Sequence, residues 1–167
     1  MEKITKILAP TDLSELSEAG VRYALNLAKA VGAEVTVYNV VSSEELMRYG
    51  ERMRGKIVGD PGVTPPASVL EKYQVALGAF LEHHFSDVMP GVKVHEKVEI
   101  GTPEINIVEQ AKKEGSDLIV ISTHGRSGLT HILLGSVTEK VVRRAPCPVL
   151  SIRPAKEQAA VQKSIAA

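Results

Sequence analysis

Leu118-Ile119-Val120-Ile121 is an aliphatic run with no polar residue in it, and so short an apolar segment reads as a strand covered on both faces. Such a strand sits inside a parallel sheet, and parallel neighbours need crossover helices, so the rest of the chain must alternate strand with helix. Val92, Val94, Val98 and Ile100 behave differently, alternating with Lys93, His95, Lys97 and Glu99. One face of that strand is apolar and the other charged, which places it at a sheet edge.

The remaining elements follow the same alternation. Ile7-Leu8-Ala9 forms a first strand ended by Pro10, and Asp12 with Glu15 reads as a capping box opening a helix from Ser14 to Val31. Gly32 closes it, and Glu34 to Val41 is a β-branched second strand. Residues 42–67 hold Arg48, Arg52, Arg54, Gly59-Asp60-Pro61-Gly62 and Pro65-Pro66, a composition read as a mobile insertion with its arginines on a solvated face. Ser68 and Glu71 suggest a second capping box, for a helix through Leu70, Leu77, Phe80 and Leu81 that stops before Pro90-Gly91. Thr102-Pro103 opens a helix ended by Gly115, and Ser136 with Glu139 suggests a third capping box, before a last strand from Pro148 to Ile152. With right-handed crossovers this is an α/β domain over residues 1–154. It is a single Rossmann-like doubly wound sheet of five parallel strands, order 3-2-1-4-5, with helices on both faces and a loose tail over 155–167.

Bulk properties exclude several function classes. The 20 basic and 20 acidic residues cancel, so no general field draws the chain to nucleic acid or to anionic lipid, and an anionic ligand must be held by local geometry. Cys147 is the single cysteine and the five histidines lack zinc-site spacing. No signal-peptide core or membrane-length apolar run is present, and the expected location is the cytoplasm.

In a doubly wound sheet the ligand sits beyond the carboxyl ends of the strands where the strand order reverses, which here means the loops after strands one and four. The fourth loop begins Ser122-Thr123-His124-Gly125-Arg126-Ser127-Gly128 and leads to Gly135-Ser136 at a helix start. Glycines admit close approach of backbone amides, and the unpaired amides of Gly135, Ser136 and Val137 at a positive helix end suit phosphate. The hydroxyls of Ser136 and Thr138 are further candidate partners. The loop is neither a Walker A loop nor a Gly-x-Gly-x-x-Gly fingerprint. It also fails as a nucleophile elbow, because Leu129 stands where Gly125-Arg126-Ser127-Gly128 would need its last glycine.

Ser122, Gly125, Gly135 and Ser136 follow the spacing Gly, two residues, Gly, nine residues, Gly-Ser, and there the chain resembles the universal stress protein family. Three of those four positions match. Ser122 replaces the first glycine, where a hydroxymethyl group either crowds a ligand or adds a hydrogen bond. Pro10-Thr11-Asp12, Asn39-Val40-Val41 and the run Arg143 to Leu150 extend the resemblance over Ile4 to Arg153. It implies that Asp12 and Val40 face ribose and adenine, with Pro10, Thr11 and Ile121 nearby. It further implies that Gly125, Gly135, Ser136, Val137 and Thr138 hold phosphates, with Ser122, His124 and Arg126 flanking them. Homodimers through the last strand are common in the family, and Val149, Leu150 and Ile152 give this chain an apolar edge there.

The resulting expectation is a stress-response or regulatory homodimer that senses ATP, AMP or ADP, with Mg2+ accompanying the phosphates, and that a protein partner reads. A dedicated catalyst is not expected, since phosphoryl transfer needs a cationic clamp and carboxylates for magnesium, and only Asp12 and Arg126 fall near the loop. A slow ATPase or phosphotransferase and a nucleotide-free dimerisation module are the two rivals, the latter motivated by Ser122.

Overall fold

The computed structural model describes residues 3–54, 66–124 and 135–154. Strands β1 (Lys6–Thr11), β2 (Glu34–Val41), β3 (Lys93–Ile100), β4 (Leu118–Ser122) and β5 (Val149–Ile152) form one sheet in the order β3-β2-β1-β4-β5. Every pairing in it is parallel. The connecting helices are α1 (Glu18–Val31), α2 (Ser43–Arg54), α3 (Pro66–Phe85), α4 (Pro103–Glu114) and α5 (Ser136–Arg144).

Alternation along the strands builds two cores. Ile7, Ala9, Val35, Val37 and Val120 face α1 and α3, packing on Val21, Leu25, Leu77 and Phe85. Leu8, Tyr38, Val40, Ile119 and Ile121 face the other way, against Ile107 and Ala111 of α4 and Val141 of α5. All five residues of β4 are buried, as its aliphatic run requires, whereas β3 is the partly exposed edge that its alternation indicates. None of the described helices is long and apolar enough to cross a membrane.

Four expectations are corrected. Pro10 lies within β1 rather than ending it, opposite Tyr38. Pairing with β4 has already stopped at Leu8, so a residue without an amide proton is tolerated there. Helix α1 begins at Glu18, not Ser14, because Asp12 takes the Ser14 amide (3.0 Å) and hydroxyl (2.6 Å) in a local turn instead of capping a helix. The stretch read as a mobile insertion opens with α2, whose start is a reciprocal capping box. The Ser42 amide donates to Glu45 Oε2 at 2.8 Å and the Glu45 amide to Ser42 Oγ at 3.2 Å. Helix α3 begins before Ser68, and α5 has Gly135 as its cap, so neither Ser68 nor Ser136 is a capping residue. The 55–65 part of the insertion and the 155–167 tail lie outside the described residues.

Candidate functional site

Beyond the Leu8–Ile119 pair, β1 and β4 part company, and a cavity of about 520 Å³ opens over their carboxyl ends on the α4/α5 side of the sheet. That is a volume typical of cofactor pockets. Pro10, Thr11, Asp12, Val40, Ile121, Ser122, His124, Gly135, Ser136, Val137 and Thr138 all line it. Every described residue singled out from the sequence for nucleotide contact therefore borders this cavity. Gly125 and Arg126, with the remainder of the 125–134 connection, lie outside the described residues.

One end of the cavity is built from backbone amides. The Gly135 amide donates to the Thr123 carbonyl at 2.7 Å, and the Gly135 carbonyl takes the Glu139 amide at 2.9 Å. The amides of Ser136, Val137 and Thr138 are thus the first-turn donors that no intrahelical carbonyl can satisfy. A side chain at 135 would place its Cβ 2.7 Å from the Thr123 carbonyl oxygen, so only glycine lets α5 start this close to β4. Ser136 is exposed. Thr138, by contrast, is buried and donates its hydroxyl to the Ser122 carbonyl at 2.8 Å, which leaves its oxygen only as an acceptor. Its main role is to lock α5 to β4. His124 is buried beside the same loop, with Nδ1 3.1 Å from Thr123 Oγ1.

The β1 loop supplies the second wall. Asn39 Nδ2 donates to the Thr11 carbonyl at 2.9 Å, tying the end of β2 to the point where Asp12 departs. Thr11 Oγ1 accepts the Leu13 amide at 3.0 Å and lies 2.8 Å from Ser17 Oγ. Ser17 Oγ donates to the Ser14 carbonyl at 2.7 Å, so the shared proton comes from Thr11. These bonds hold Leu13 at φ 61, a left-handed conformation that costs a branched residue free energy and fixes the direction in which the Asp12 carboxylate leaves the sheet.

Ser122 adds hydrogen bonds. Its hydroxyl accepts the Gly20 amide at 2.9 Å and donates to the Ser17 carbonyl at 3.2 Å. As the successor of Ile121 on the strand it turns its hydroxyl toward α1, while the residue itself borders the cavity.

The far end is apolar, formed by Tyr38, Val40, Pro103, Ile107 and Ile121. Tyr38 is fully buried and its phenol donates to Glu99 on β3. Burial, and then the Glu99 bond, push the phenol well above the ordinary tyrosine range. Glu99 is held below the usual carboxylate range by Lys97, which bonds it at 2.8 Å, and then by Tyr38. Over the mouth lies α2, contributing Ser42, Glu44, Glu45 and Arg48, with Arg48 paired to Glu44 at 2.5 Å. Arg48 is exposed, as the solvated-face reading has it, while also bordering the cavity; the sequence reading missed α2, Tyr38, Ile107 and Pro103 as lining. The Ser42-x-x-Glu45 capping box was the available signal for α2, while Ile107 reaches the cavity only through tertiary packing.

The profile described as the universal stress protein family matches residues 3–153. Universal stress protein MJ0531 of Methanocaldococcus jannaschii is 33% identical over 153 residues, covering 92% of this chain and 84% of its own length. The solved structure of MJ0577 from the same organism is similar with a TM-score of 0.67 and 30% identity, over 92% of this chain and 98% of that one. A universal stress protein solved in complex with cAMP has a TM-score of 0.65 at 22% identity, over 90% of this chain and 98% of its own, a likeness of fold.

Proposed function

The chain belongs to the universal stress protein family, and on that premise we propose that it binds an adenine nucleotide in the cavity above the β1–β4 divergence, as a regulatory module rather than a catalyst. The observation that carries this reading is the polarity of this cavity, whose α5 end offers first-turn amides without intrahelical partners and whose β2 end is apolar. Phosphates go to the amides of Ser136 to Thr138, where the helix end is positive. The base goes toward Val40 and Ile121, with Asp12 between them as acceptor for ribose hydroxyls. That another member of the family has been solved in complex with cAMP supports entry of an adenine nucleotide into this fold.

Magnesium fits as a companion of the phosphates. Among the described residues no three metal ligands converge, and the described lining includes Asp12, Glu44, Glu45 and Arg48. The cation would therefore be held by the phosphates of the nucleotide itself. No lysine is among the described lining residues, which favours binding over phosphoryl transfer. We assign the apolar β5 edge, Val149, Leu150 and Ile152, to a homodimer whose nucleotide-dependent shape a protein partner reads.

Melting nucleotide-stripped protein with and without ATP and Mg2+ tests the reading. A ligand that binds only the folded state raises the midpoint by mass action. An unchanged midpoint at millimolar ATP and AMP would remove it.

A further inference from the structure

The amide-bearing end of the cavity belongs to the start of α5, on one flank of β1, and the apolar end, to which Ile121 of β4 also contributes, extends to β2 and α4 on the other. A nucleotide with phosphates on α5 must point its base toward β2. In adenine the exocyclic amine, N1 and C2 lie on the ring edge remote from the ribose, so that edge arrives deepest. On β2 the pocket-facing positions are Val40 at the strand end and Tyr38 two residues further in. Tyr38 has no exposed surface although it borders the cavity, so it is the closing wall and not a rim group.

The phenol is not free to swing. Its hydroxyl is bonded to Glu99, Glu99 is bonded in turn to Lys97 at 2.8 Å, and the Lys97 ammonium lies 5.7 Å from the centre of the Tyr38 ring. Register places Tyr38 directly across from Lys97 on β3 and from Pro10 on β1. A side chain held on both flanks and at its tip cannot yield to a larger ligand.

We propose that Tyr38 is the specificity-determining residue of this site, a fixed stop that limits the depth of the base slot and rejects purines enlarged on the edge remote from the ribose. The inference rests on the nucleotide reading above, and the two fail separately. Wild type, Tyr38→Leu and Tyr38→Phe are titrated calorimetrically with Mg2+ and ATP, N6-benzyl-ATP or 2-methylthio-ATP. Wild type and Tyr38→Phe, which keep the ring, bind ATP and discriminate against both enlarged analogues. In Tyr38→Leu the affinity for one of them relative to ATP rises by at least ~10-fold, the range expected when apolar volume is opened in a slot. A folded Tyr38→Leu protein with unchanged discrimination overturns the proposal, whereas wild type that binds no ATP overturns the nucleotide reading. Should Tyr38→Leu not fold, wild-type NMR decides. ATP shifts the Tyr38 ring resonances and tripolyphosphate does not, and saturating ATP that leaves them in place overturns the proposal.

Discussion

Ser122 Oγ lies 2.9 Å from the Gly20 amide nitrogen and accepts its proton, so the residue that replaces a family glycine at the end of β4 caps α1 from the strand beneath it. Gly20 is the third residue of α1, where an amide has no intrahelical partner, and the nominal cap Ser17 makes no side-chain bond to its own helix. Ser122→Gly removes that bond and lowers stability by about 1 kcal/mol. Because the hydroxyl faces α1, nucleotide affinity changes by less than ~3-fold. Urea unfolding and calorimetry on the same variant separate the two effects.

Gly20 is the complement of that bond. A Cβ there would stand 2.8 Å from the Ser122 amide nitrogen and 3.0 Å from its hydroxyl. Gly20→Ala should destabilise by about 1–3 kcal/mol despite alanine's better helix propensity, through overpacking at the helix–strand contact. A gain in urea midpoint would show that α1 can move away at no cost.

Acid should loosen α5. Lys140 Nζ lies 2.7 Å from Glu104 Oε1, bridging α5 to α4, and this bond holds the Glu104 carboxyl below the usual carboxylate range. Since the folded-state pKa is the lower one, the stabilisation is complete above the unfolded carboxylate pKa and is lost as pH falls through the folded value. Glu104→Gln costs under about 1 kcal/mol at neutral pH and makes the acid limb of stability shallower. Urea melts from neutral pH down through the carboxylate range read both.

Magnesium removal should discriminate among nucleotides. ATP brings more phosphate charge to the amide end of the cavity than AMP does, and the cation screens it, so chelation weakens ATP by at least ~10-fold, about 1.4 kcal/mol, and AMP far less. Equal loss for both would place the cation away from the outer phosphates. Light scattering addresses the assembly. Wild type is expected at twice the 18.0 kDa chain mass, and Leu150→Lys, a charge on the edge strand, at the monomer mass.

The strand order and the two cores were legible because β-strand periods are local. The buried run of β4 and the alternating β3 fix which strand is central and which is at the edge. Helix starts were legible only in part, since Asp12 and Ser14 bond each other in a turn that competes with capping. Ser136 likewise resembles a cap in sequence but sits one residue inside α5, because Gly135 approaches the Thr123 carbonyl as no other residue can. What sequence reasoning could not reach was the closing wall. Tyr38 and Ile107 meet there from elements far apart in the chain, and nothing local marks either side chain as facing a cavity.

The most direct test is a calorimetric titration of nucleotide-stripped protein with ATP and Mg2+ beside Ser136→Asp. Position 136 is the exposed first residue of α5, where a carboxylate stabilises the helix end yet opposes an anionic ligand, so folding and binding move in opposite directions. The account predicts saturable heat in wild type and at least ~10-fold weaker binding in a variant that melts no lower. No heat in wild type, or full affinity in the variant, would contradict it.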